Sequence, residues 1–143
     1  MAHPPPHPRA LVLWVIWFAM LCSVFLYQLI LGKGVPHGSN LQSSSTPPIV
    51  WVAIAQVAAA SFIRWLLIPR TKEVPKMVVL MIIGLALGEG VEFYGLFLVP
   101  HDQPETKLLL WILSILGIAQ FAPVYAKRPT EHHDAFHGSS GPF

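Results

Sequence analysis

The sequence predicts an all-α protein, a transmembrane bundle of four helices with both chain ends in the cytoplasm. Hydrophobic residues make up 54% of the 143-residue chain and charged residues only 11%, a balance typical of small membrane proteins. Four apolar runs stand out, at about residues 10–32, 49–68, 77–99 and 107–126. Each is long enough for a membrane-spanning helix, which needs about 20 apolar residues. We therefore expect one membrane domain over residues 10–126.

The positions of lysine and arginine predict the orientation of these spans. Seven of the nine lie before the first run, within or just after the second run, or after the fourth run. Only two, Lys33 and Lys107, lie at the opposite ends of the spans. Because cytoplasmic loops are enriched in lysine and arginine, we expect the two termini and the loop around Lys72 to be cytoplasmic.

The segments outside the spans predict no regular structure. Residues 1–9 contain three consecutive prolines and predict a disordered arm, since proline lacks a backbone donor. Residues 127–143 predict a polar cytoplasmic tail. Within it, His133 and His137 have the i, i+4 spacing of helical metal ligands, but the glycines and serines that follow favour a flexible tail. We therefore expect no bound metal and no other cofactor.

The first two spans have residues typical of the membrane interface and of close helix packing. Trp17 and Tyr27 are interfacial aromatics of the first run. The second run is rich in alanine, which lets helices approach closely in lipid. We expect Gln56 in its middle to point into the bundle, Arg64 to extend its charge to the interface, and Pro69 to stop the helix.

Prolines and a capping pattern mark the limits of the last two spans. Pro75 suits the first turn of a helix, and Pro100 is expected to end the third span. Asp102 is then expected to be the N-cap of the fourth helix, with Glu105 three residues later as in a capping box. The fourth span is expected to continue to Ala126.

A stripe of glycines predicts a helix-packing seam on the third span. Gly84, Gly88 and Gly95 fall within about 40° of one another on a helical wheel. Gly84 and Gly88 also form a GxxxG pair, which permits close backbone contact with a neighbouring helix. We expect a second helix to pack against this stripe.

Two acidic residues, Glu89 and Glu92, lie in the second half of the third run. A charged side chain at mid-membrane costs about 2.5–3.5 kcal/mol on insertion scales, so it usually has a partner or a function. Gln56 is expected at a similar depth, close enough to hydrogen-bond one of the acids. One interpretation is a proton or cation site formed by these three residues. The other is a structural site, in which protonated glutamates fix the helix register.

A local resemblance supports the first interpretation. Residues 85–96, LALGEGVEFYGL, resemble the ion-carrying helix of the proteolipid (c-type) subunits of rotary ATPases. In that family the essential carboxylate is followed five residues later by Tyr-Gly-Leu or a close variant, and Glu89 occupies the matching position. Glu92 and the alanine-rich second run have no counterpart there. The resemblance implies that Glu89 exchanges a proton or cation, while Glu92, beside the glycine stripe, is expected to be mainly structural.

A wider resemblance is to small, uncharacterised four-helix bacterial membrane proteins. They share an Arg-Trp, Pro-Arg, Gly-Leu-Ala-Leu-x-Glu and Gly-Leu pattern, found here from Arg64 to Leu96. This resemblance implies a bacterial cytoplasmic (inner) membrane and brings no known activity.

The predicted function is that of a multi-pass membrane protein with an intramembrane carboxylate site that handles protons or cations. Its expected partners are the lipid bilayer and either further copies of itself or a larger membrane complex. The alternative is a non-catalytic structural or accessory subunit of such a complex. A net charge of +2 is too small to indicate nucleic-acid binding. The sequence has no nucleophilic triad, phosphate loop or redox motif, so an enzyme is not expected.

Overall fold

The computed structural model describes residues 8–34 and 47–124, and every regular element in these ranges is helical, as the sequence predicts. This part of the chain forms four helices: α1 (Pro8–Ile30), α2 (Pro48–Arg70), α3 (Val74–Leu98) and α4 (Pro104–Ala119). Each helix has a proline in its first turn. Proline suits this position because its missing N–H would have no helical partner there.

Three of the described helices are long and apolar enough to cross a membrane, over Leu11–Ile30, Pro48–Arg70 and Val74–Leu98. Their outer faces carry large apolar side chains, and Trp51 and Trp65 are each 65% exposed. Such a surface is unfavourable in water and suits a hydrocarbon environment. These observations agree with the predicted membrane protein.

The fourth helix is shorter than the sequence indicates. α4 ends at Ala119, whereas the predicted span continues to Ala126, which lies outside the described residues. Its 16 residues correspond to about 24 Å, less than the hydrocarbon thickness of about 30 Å. Pro123 explains the early end, because it has no N–H to bond the Ala119 carbonyl and disfavours helical geometry at the residue before it.

α4 also begins differently from the prediction. Gln103, not Asp102, directly precedes the first helical turn, and no side chain caps it. Pro104 is the first helical residue, and it restricts the backbone of Gln103 to non-helical geometry. The start of the helix is thus set by Pro104 rather than by a capping box. Glu105 does lie in the first turn, where its charge is favourable for the helix dipole.

α2 continues past the proline that was expected to stop it. The helix runs through Pro69 and contains a π-helical turn over Ile63–Leu67. In this wider turn the N–H of Ile68 bonds to the Ile63 carbonyl, five residues back. The widened backbone accommodates the proline, whose ring clashes in a regular helix. A second π-helical turn, Tyr94–Leu98, ends α3.

α3 packs against each of the other three helices of the described chain. It runs antiparallel to α4: a Cβ built at Gly88 would lie 3.1 Å from the Gly117 carbonyl carbon, and one built at Gly95 would lie 3.4 Å from the Leu110 Cβ. It runs parallel to α1, because Ser23 contacts Glu89, and Tyr27, four residues later in α1, contacts Phe93, four residues later in α3. The three-residue connection 71–73 makes α2 its antiparallel neighbour.

The apolar core consists of two clusters of buried side chains. The larger cluster contains Leu13, Val24, Ala60, Ile68, Met81, Leu85, Ile118 and Phe121, and the smaller contains Ala53, Val91, Val99 and Leu110. On α3 the stretch from Leu85 to Val91 joins the two clusters, and this stretch contains Glu89. Glu89 therefore lies on the part of α3 where the two clusters meet, and Glu92 directly follows Val91.

Candidate functional site

Glu89 and Glu92 lie three residues apart on α3, so one helical turn separates their side chains. Their environments differ. Glu92 is only 1% exposed, whereas Glu89 is half-buried. Burial of a carboxyl group without a hydrogen bond is costly, so the partners of each side chain decide what it can do.

Glu92 occupies the face of α3 that packs against α4. It lies four residues after Gly88 and three before Gly95, and both glycines contact α4. Neither carboxyl oxygen of Glu92 has a hydrogen-bond partner among the described residues. The predicted bond from Gln56 to an acid is therefore not formed at Glu92.

Gln56 has other partners, and this corrects the prediction. Its Nε2 donates to the carbonyl oxygen of Leu87 at 2.7 Å, and its Oε1 accepts from the Tyr94 hydroxyl at 2.6 Å. The amide thus pairs with one donor of α3, the Tyr94 hydroxyl, and with one acceptor of α3, the Leu87 carbonyl. A bond from Gln56 to an acidic side chain would not satisfy these two groups. Gly90 makes room for this bond, because a Cβ there would lie 2.7 Å from the Gln56 Nε2. Gly90, outside the glycine stripe, was the sequence signal for this close approach.

Glu89 contacts a serine of α1 that the sequence analysis did not identify. The Oγ of Ser23 lies 2.7 Å from the Glu89 Oε1 and 2.7 Å from the Met20 carbonyl oxygen. A serine hydroxyl has one proton and can donate fully to only one of these two acceptors. Ser23 is 66 residues from Glu89 in the chain. The only feature of the sequence that pointed to Ser23 was the presence of a hydroxyl group within an apolar run.

The glycines of the predicted seam lie against α4. A Cβ at Gly84 would overlap the ring of Phe121, and one at Gly88 would lie 3.0 Å from the Ile118 Cγ1. α4 contributes a glycine of its own to this contact: a Cβ at Gly117 would lie 3.1 Å from the Gly88 Cα. A large side chain at Gly88 or Gly117 would push the two helices apart, and one at Gly84 would displace the Phe121 ring. Gly117 is one of the packing residues that the sequence analysis did not single out.

Arg64 is buried rather than extended to an interface, which corrects a further prediction. It is 8% exposed, and its Nε donates to the Gln120 carbonyl oxygen at 2.7 Å. The indole Nε1 of Trp17 donates to the Ile118 carbonyl oxygen at 2.9 Å. Both acceptors are carbonyls at the C-terminal end of α4, where a helix cannot pair all of its carbonyls internally. The Ile118 carbonyl also accepts from the Phe121 N–H at 3.0 Å. α1 and α2 therefore satisfy the C-terminus of α4, and the cation is favourable for its dipole.

Neither acid opens onto the cavity of about 190 Å³ found where α1 ends and α4 begins. The lining of that cavity includes Gln28, Lys33, His101 and Lys107. Among the described residues there is no group of three or more His, Cys, Asp or Glu side chains placed to hold a metal ion. His133 and His137 lie outside the described part of the chain.

Comparison with known proteins adds no assignment. No family model, curated protein or solved structure matches this chain.

Proposed function

We propose that this protein spans the membrane four times, with both termini in the cytoplasm, and that Glu89 exchanges a proton within the membrane. The observation that carries the proposal is the contact between Glu89 and Ser23. Ser23 has one proton for two acceptors at 2.7 Å, so a Glu89 that brings its own proton satisfies both contacts. A neutral carboxyl also avoids the cost of a charge in hydrocarbon.

The different burial of the two acids supports a division of roles. Glu89 is half-buried, so the helix packing does not enclose it completely. Glu92 is enclosed at 1% exposure. The resemblance of residues 85–96 to a proteolipid helix favours the same residue for exchange. Handling of a monovalent cation in place of a proton is the second form of this proposal.

Carbodiimide labelling tests the proposal, because the reagent modifies protonated carboxyl groups in apolar surroundings. In native membranes the wild-type chain is expected to react, Glu89→Gln to lose the reaction, and Ser23→Ala to change its rate. Glu73→Gln is the matched control, since Glu73 is exposed and paired with Lys76 at 2.9 Å. Sodium that protects Glu89 from the reagent would indicate the cation form.

Two results would contradict proton exchange at Glu89. One is a wild-type chain that stays unreactive from mildly acidic to mildly basic pH. The other is Glu89→Gln protein that reacts as wild type does.

The alternative function is that of a structural or accessory subunit in a larger membrane complex. The contact of Gly88 with Gly117 favours it, because close glycine packing of α3 on α4 serves to build a stable bundle and needs no exchange at Glu89. Affinity purification from membranes in mild detergent distinguishes the two. A stoichiometric partner together with an unreactive Glu89 would favour the accessory role, and a homo-oligomer that reacts would favour exchange.

A further inference from the structure

The unpaired buried polar atoms of the described chain concentrate at one level of the α3–α4 contact. Four of the five such atoms belong to Glu92, Ser114 and Trp111. Glu92 is 1% exposed and Ser114 is 0% exposed. Because native proteins rarely leave buried polar groups without a partner, this concentration calls for a ligand that supplies the missing hydrogen bonds.

The helix register places Glu92 opposite Ser114. On α3, Glu92 lies between Gly88 and Gly95, and all three share one face. On α4, Ser114 lies between Leu110 and Gly117, which contact Gly95 and Gly88 respectively. The helices are antiparallel, so the residues midway between the two contacts face each other.

We infer that Glu92 and Ser114 bind an internal water between α3 and α4. Their polar atoms make no direct hydrogen bond in the described structure, and one water bridges groups that are too far apart to bond directly. Buried waters typically make about three hydrogen bonds. Two carboxyl oxygens and one hydroxyl provide this number.

The available donors favour water over a metal cation, because the site has one carboxyl group and one hydroxyl, and the described residues include no group of three or more His, Cys, Asp or Glu side chains placed to hold a metal ion. The Trp111 Nε1, one turn before Ser114 on α4, is a donor only and is also buried without a partner. The water is one turn from Glu89, and any part it has in proton exchange there rests on the proposed function.

Water-edited solid-state NMR on the full chain in lipid vesicles, with ¹³C-labelled glutamate, tests this site. The Glu92 carboxyl signal is identified by its loss in Glu92→Gln. It is expected to receive magnetisation from water early, although the side chain is enclosed. Ser114→Ala should remove most of that transfer. Ser61→Ala is the matched control, because the Ser61 Oγ already has protein partners at 2.9 Å.

The inference is overturned if the wild-type Glu92 signal receives no early transfer, or if Ser114→Ala leaves the transfer unchanged. Should Ser114→Ala fail to fold, Ser114→Cys replaces the hydroxyl with a weakly bonding thiol of similar size, and unchanged transfer there would equally count against a bound water. The readout is independent of carbodiimide chemistry at Glu89. An inert Glu89 with a hydrated Glu92 would reject only the proposed function, and the reverse result would reject only the water site.

Discussion

Arg64 of α2 donates its Nε proton to the carbonyl oxygen of Gln120, 56 residues later in the chain, at 2.7 Å. This bond joins the second half of α2 to the C-terminal end of α4. There the last carbonyl groups of α4 have no N–H groups of the same helix to bond to. A buried cation therefore helps to end a helix that the sequence alone suggests should continue.

We predict that Arg64→Ala destabilises the protein by about 1–3 kcal/mol, because it leaves the partly buried Gln120 carbonyl without the Arg64 donor. Thermal unfolding in detergent, followed by circular dichroism, measures the effect. Arg70→Ala, at an exposed position of the same helix, is the control and should change stability little. Equal melting of both variants would show that the bond to Gln120 contributes nothing.

Gly88→Leu is predicted to cost about 1–3 kcal/mol through overpacking, because α4 leaves no space for its side chain. The matched control is Ala86→Leu, on the exposed face of α3 two residues earlier. Melting temperature and size-exclusion profile in detergent report the difference. If Gly88→Leu behaves like Ala86→Leu, then α4 does not lie against Gly88.

The bond between Gln56 and Tyr94 is predicted to couple the two side chains by about 0.6 kcal/mol, the average for hydrogen bonds between membrane helices. A double-mutant cycle with Gln56→Ala and Tyr94→Phe measures this coupling from unfolding free energies. If the two single substitutions have additive effects on the free energy of unfolding, the 2.6 Å contact makes no net contribution to stability.

The orientation is predicted from charge, with both termini cytoplasmic. The chain has one cysteine, so Cys22→Ser is made first, and Ser43→Cys is then introduced in the segment between α1 and α2. An impermeant thiol reagent should label it from outside intact cells. Labelling only after the membrane is opened would reverse the proposed topology.

The sequence predicted the helices well because their limits follow from local chemistry. Apolar runs of spanning length and prolines in the first turns require no knowledge of distant residues. Pro123 carried the same kind of local information about the end of α4, and a span drawn from hydropathy alone overlooked it.

The partners of the polar side chains could not be predicted in this way. Gln56 was placed at the depth of the acids, yet it bonds to Leu87 and Tyr94. The depth of a side chain follows from residue count, but its direction depends on how neighbouring helices are rotated. Ser23 illustrates the same limit, since its contact with Glu89 depends on the placement of α1.

The 16-residue length of α4 has a consequence for the lipid around the protein. If α4 crosses the bilayer beside three longer helices, its flank presents an apolar belt about 6 Å short of a typical hydrocarbon core. The bilayer along that flank must become thinner, and the free-energy cost grows with each ångström of mismatch. Leu116, 58% exposed on this side, would lie against the compressed lipid. Thinner membranes, or a neighbouring protein that displaces lipid from α4, would relieve this strain, so membrane thickness itself would select where the protein accumulates.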